Sequence, residues 1–221
     1  MMLKQVSSNK TRNFVRTMSF GLVCALCVVG FYGCSTLTQI SNTLTSLKKI
    51  QFKLSNITAL SLNGVTLSGK SAISDFSITD AAKLLQAYNS KSLPVSFTLN
   101  VLAKNPNTGT GGTATALATI TGLDWQLYLD DKQTISGDIN NAVTVPSSGE
   151  TTTIPLGMNL DLVQFFADKG YESVVNLALA LGGASGSTSR VKLTAQPTIK
   201  TPIGNISYPS KITIVNTEFS N

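Results

Sequence analysis

Few residues in this 221-residue chain could do chemistry, and their types narrow the choice at once. Histidine is absent. Within this sequence that excludes Ser-His-Asp triads, His-paired cysteine nucleophiles and His-containing metal sites. The best acidic pair is Asp130-Asp131, which could close a hairpin or hold a cation. Lys132 and Gln133 follow it directly, as in a polar turn, and the turn is the expectation. Asp138, in SGDINN, lacks the ligand spacing of a calcium loop. Ser68-Gly69-Lys70-Ser71 lacks the upstream glycine of a phosphate loop. No catalytic residue, metal or cofactor is therefore expected. The remaining reactive groups are three thiols, Cys24, Cys27 and Cys34.

The thiols lie in or just after an apolar leader. Lys4, Lys10, Arg12 and Arg16 precede Phe20–Tyr32, FGLVCALCVVGFY, a run of 13 residues without charge. A membrane-spanning helix needs about 20 apolar residues, whereas this length suits the apolar region of a signal peptide. The basic residues would stay on the cytoplasmic side. The run ends in Phe31-Tyr32-Gly33-Cys34, which resembles the lipobox of bacterial lipoproteins: an apolar residue, a variable one, a small one, then cysteine. Phe31 and Tyr32 are bulkier than the usual Leu and Ala or Ser. The resemblance implies cleavage between Gly33 and Cys34. It also implies a diacylglycerol on the thiol and a further palmitate-type acyl chain on the new N-terminus. Cys24 and Cys27 would leave with the leader, so Cys34 would be the sole thiol of the mature chain. A lone cysteine in an exported protein suggests intermolecular pairing or a modified thiol. The rival reading is an uncleaved anchor helix. Two or three acyl chains, at about 0.8 kcal/mol per buried CH₂, suffice for stable anchoring. The resemblance also implies a location: Ser35, in place of the Asp that retains such lipoproteins at the inner membrane, favours the outer membrane of a Gram-negative envelope, and the lack of an acidic export tag in STLTQIS favours its periplasmic face.

The leader also explains the charge. The chain is +6 overall, but without those four residues it holds 13 basic and 11 acidic residues, about +2. The basicity belongs to the segment expected to be removed, and no nucleic-acid partner is expected. Only 13% of residues are charged and 42% are hydrophobic, while typical soluble domains carry about 25% charged residues.

The organisation expected is a signal peptide over 1–33, a Ser/Thr-rich tether over 34–48 and one domain over 49–221. In Pro94–Lys104 the apolar set is Val95, Phe97, Leu99, Val101 and Ala103. In Leu123–Asp130 it is Leu123, Trp125, Leu127 and Leu129. Period two of this kind means half-buried strands. Trp125 is expected in the core. Thr113–Thr121, the set Ile154, Leu156, Met158 and Leu160, and two or three strands between Val191 and Phe219 extend the pattern. Thr79–Tyr88 reads as a helix with Ala81, Leu84, Leu85 and Tyr88 on one face, capped by Ser77 or Thr79. Asp161–Leu181 reads as a second helix, capped by Asn159 or Asp161, which Gly170 could divide. No strand–helix–strand rhythm recurs. The fold class is therefore mainly β: an antiparallel, immunoglobulin-like β-sandwich with one or two packed α-helices. Phe165, Phe166 and Tyr171 either pack in its core or line a cleft for an apolar ligand.

Pro106 ends a strand physically, because proline has no N–H and extends the residue before it. The wider segment, PVSFTLNVLAKNPN followed by a Gly-rich turn and ATALATITGLDWQLYLDDKQTISGD, resembles the type-2 late-embryogenesis-abundant family, also called the water-stress and hypersensitive-response domain. Asn105, Pro106 and Asn107 carry the motif, and the resemblance spans roughly 50–165. It implies a small antiparallel β-sandwich with a helix and a non-enzymatic protective role in desiccation or osmotic stress. The partners it implies are membranes or other proteins. Two rival expectations are a carrier for an apolar ligand and an envelope-assembly or adhesion component that pairs through a strand edge. Asn56-Ile57-Thr58 and Asn205-Ile206-Ser207 match the glycosylation sequon, but only a eukaryotic secretory route would use them.

Overall fold

The computed structural model describes residues 50–106, 117–182, 191–201, 204–216 and 219–220. Gly33, Cys34 and the 34–48 segment lie outside them, as does Asn107. The described residues form two antiparallel sheets that close on one core, with short helices at one end.

The first sheet contains β1 (Gln51–Leu62), β2 (Val65–Thr66), β3 (Pro94–Lys104) and β7 (Thr151–Asp161), in the order β2-β1-β3-β7. The second contains β4 (Ala118–Leu129), β5 (Lys132–Gly137), β8 (Val191–Thr201) and β10 (Ile212–Ile214), in the order β10-β8-β4-β5. Two short strands flank it: β6 (Val143–Val145) pairs with β4, and β9 (Gly204–Ser207) pairs with β8. The alternating sets predicted for β3, β4 and β7 all point inward. Val95, Leu99, Val101, Leu123, Leu127 and Leu129 are fully buried, and Trp125 is 5% exposed. Burying each such aliphatic side chain contributes about 1.5–3 kcal/mol. β7 runs antiparallel to β3 without a register break, from Pro94↔Asp161 to Lys104↔Thr151. It is an edge strand, so Pro155, which cannot donate, interrupts no continuing ladder.

β1 has no simple alternation in the sequence, and the structure shows why. Its register against β3 shifts between Leu54 and Ile57 and again between Thr58 and Ser61. Ala59 adopts φ 54. These bulges space the buried residues Phe52, Leu54, Ile57, Leu60 and Leu62 unevenly along one face.

The helices differ from expectation in extent. The first, α1 (Ile78–Asn89), is capped by Ser77, whose Oγ accepts from Asp80 N at 3.0 Å. Its inward residue is Leu84, whereas Leu85, predicted on the buried face, is 45% exposed. The helix packs on a narrow seam, so only one of the adjacent leucines can turn inward. The predicted helix over Asp161–Leu181 is two: α2 (Leu162–Phe165) and α3 (Tyr171–Gly182). Asp161 is the N-cap of α2 and Gly170 lies in the break. Of Thr113–Thr121, the described strand begins at Ala118.

Candidate functional site

A cluster of charged side chains forms where the β4–β5 turn meets the connection between α2 and α3. Asp130 and Asp131 have φ 49 and 61, so both central residues of the two-residue hairpin are left-handed. That is the backbone of a type I′ turn, and aspartate tolerates it better than most side chains. The turn reading of this pair therefore holds. No group of acidic or thiol side chains able to hold a metal occurs among the described residues.

The turn projects its side chains over Phe166. Lys132 donates to the Phe165 carbonyl, and its ammonium stands 5.4 Å from the Phe166 ring centre. Lys169 approaches the same ring at 5.9 Å and reaches Asp130 at 4.0 Å. Lys192 pairs with Asp131 at 3.2 Å and lies 4.8 Å from the Tyr128 ring. Between these groups lies a cleft of about 360 Å³ lined by Asp130, Asp131, Lys132, Phe166, Asp168 and Lys169. Its walls carry both signs of charge. Such a surface suits small polar or zwitterionic groups better than an alkyl chain, which would strip water from five charged residues.

The three predicted aromatics take different places around it. Phe166 is 2% exposed and belongs to the core. Phe165 is half-buried and packs against that core. Tyr171 meets Tyr88 edge-on, with ring centres 5.6 Å apart. Its hydroxyl donates to the Ala81 carbonyl at 3.5 Å, and burial raises its pKa. The Tyr88 hydroxyl donates to the Lys169 carbonyl at 2.8 Å, which ties α1 to the cleft floor.

The other polar residues singled out in the sequence hold the backbone in place. Asp138 Oδ1 accepts from the Leu123 and Ile139 N–H groups and so spans the register break beside Gly122. Asp161 accepts from Leu93 N at 2.9 Å, Ser92 Oγ at 2.7 Å and Val163 N at 3.0 Å. Burial opposes its charge, but these bonds outweigh burial and hold the carboxyl below its ordinary pKa. Asn105, the residue after β3, is 1% exposed, and Pro106 beside it is exposed. The Asp168–Lys169 contribution to the cleft went unread in the sequence. It lies some forty residues from Asp130, and only the chain's return through β7 and α2 brings the two together.

The fold and cleft together define a mainly β antiparallel sandwich with a charged surface depression. No family model matches the chain, and no curated protein does. Among solved structures, it is similar to a protein from Archaeoglobus fulgidus at 16% identity, over 53% of this chain and 82% of that one, with a TM-score of 0.32. It is also similar to the solution structure of a candidate late embryogenesis abundant (LEA) protein at 12% identity, over 98% of this chain and 96% of that one, with a TM-score of 0.33.

Proposed function

We propose that this chain is a non-enzymatic, lipid-anchored protein of a Gram-negative cell envelope, attached through Cys34 to the periplasmic face of the outer membrane. Its sandwich would serve a protective or binding role under desiccation or osmotic stress. The observation that carries the protective role is the position of PVSFTLNVLAK. This segment, which resembles the type-2 late-embryogenesis-abundant family, is the central strand β3, flanked by β1 and β7. It is followed directly by buried Asn105, where the motif begins. The anchor rests on the leader and on Gly33-Cys34. Carriage of an apolar ligand has weaker support, because the cleft beside Phe166 is charged. Pairing through the β7 edge is opposed by Pro155.

Intact mass of the protein from cells, with and without globomycin, tests the anchor. The expected product begins at Cys34 and carries acyl mass, and Cys34→Ala abolishes that mass. Retention of residues 1–33 in the untreated wild type would overturn it. For the protective role, a deletion strain should lose viability on drying and rehydration. Survival equal to the parent would sink that role and leave the anchor standing.

A further inference from the structure

The two ends of the sandwich differ in charge. At the helical end the acids, among them Asp80, Asp130, Asp161 and Glu172, are nearly balanced by Lys70, Lys83, Lys91, Lys132, Lys169 and Lys192. The opposite end is where the chain enters at Ile50. The rows Gln51↔Lys104 and Lys104↔Thr151 in one sheet, and Thr119↔Lys200 in the other, mark it. Two bonds show that these rows belong to the same end. Tyr208 donates to the Ile50 carbonyl at 3.4 Å, and Thr152 Oγ1 donates to the Thr144 carbonyl at 3.4 Å.

Lys53 and Lys104 are neighbours on the outer face of the first sheet at this end. Phe219 holds them together, with ammoniums 5.8 and 5.9 Å from its ring centre. Lys200 is exposed on the outer face of the second sheet. Lys48 and Lys49 precede Ile50 in the sequence. The acids nearby are fewer: Glu150 precedes β7, Glu218 precedes Phe219 in the sequence, and Asp138 is engaged by two backbone N–H groups.

We propose that this entry end, through Lys53, Lys104 and Lys200, is a docking surface for anionic lipid headgroups. The inference rests on the anchored reading for its biological setting. Residues 35–49 reach at most about 50 Å when fully extended. Strands of 11 residues make the sandwich itself about 36 Å long, so the tether alone permits either end to meet the bilayer. Charge then selects. The entry end, where lysines outnumber acids, is drawn to a negative surface, whereas the charges of the helical end nearly cancel and give it no such attraction. The domain would stand with its charged cleft facing away from the membrane.

The test uses residues 46–221, the compact unit that contains the whole core, without any acyl chain. It is sedimented with vesicles of phosphatidylcholine alone or mixed with phosphatidylglycerol. Binding is expected only to the mixed vesicles and should fall as salt rises. The triple variant Lys53→Gln, Lys104→Gln, Lys200→Gln should bind at least about tenfold more weakly, since each lysine near a charged surface contributes roughly 1 kcal/mol. Its thermal unfolding should match the wild type. The control Lys132→Gln, Lys169→Gln, Lys192→Gln, at the helical end, should bind as the wild type does. Equal loss in both triple variants, equal binding to both vesicles, or no binding at all would overturn the proposal. Those outcomes are independent of whether Cys34 is acylated in cells, which intact mass decides.

Discussion

The indole of Trp125 lies against the backbone of Gly137 so closely that a Cβ there would sit 2.5 Å from Cζ2. The two residues face each other in the β4–β5 ladder. No side chain other than hydrogen fits between the ring and the neighbouring strand. Gly137→Ala is therefore expected to destabilise by about 1–3 kcal/mol through overpacking. Urea unfolding should show a lower midpoint with an unchanged slope. Trp125 Nε1 is buried without a hydrogen-bond partner. Trp125→Phe removes that orphaned donor along with some apolar area, so its cost should fall below that of Gly137→Ala. A larger cost would mean that the cavity left by the indole outweighs the relief of its orphaned donor.

Asp161 joins the end of β7 to the start of α2 and to the loop before β3. Asp161→Asn should cost about 1–3 kcal/mol at neutral pH, because an amide cannot accept all three bonds with full charge. The folded carboxyl has a depressed pKa. Its contribution is therefore complete above the unfolded value, about 3.9, and is lost as pH falls through the lower folded value. Thermal midpoints of wild type and variant should converge on acidification below pH 4. A gap that persists undiminished in acid would show that the charge of Asp161 is not the source.

Asp131 sits at φ 61 in the type I′ turn, where glycine is favoured. Its ion pair with Lys192 involves a side chain 91% exposed and contributes little. Asp131→Gly should leave stability unchanged or raise it by about 0.5–1 kcal/mol. Calorimetry measures this directly, and a clear loss would mean that the Lys192 pair outweighs the backbone strain.

The adjacent leucines of α1 should respond oppositely to truncation. Leu84 is fully buried, and Leu84→Ala should cost about 2–5 kcal/mol. Leu85 is 45% exposed, and Leu85→Ala should change stability by no more than about 0.5 kcal/mol. Denaturant midpoints of the two variants, measured side by side, check the helix orientation.

The strands β3, β4 and β7 were legible in the sequence because period-two alternation is imposed on any strand with one buried face. Val95 to Ala103 and Leu123 to Leu129 needed no partner to be read. The Ser77 cap, the break at Gly170 and the Asp130-Asp131 turn were legible too, since each follows from local backbone preferences.

Other features depended on contacts between distant residues. β1 was not delimited because its bulges against β3 break the period-two spacing of its apolar residues, which a search for regular alternation passes over. Leu85 turned outward because α1 meets the core along one seam, and helical spacing alone leaves several faces equivalent. Residues of like periodicity compete for one interior, and only packing decides which of them enter it. The cleft at Phe166 and the lysines of the entry end arise in the same way. They are assembled from residues far apart in sequence by the pairing of strands, which the order of the residues along the chain does not reveal.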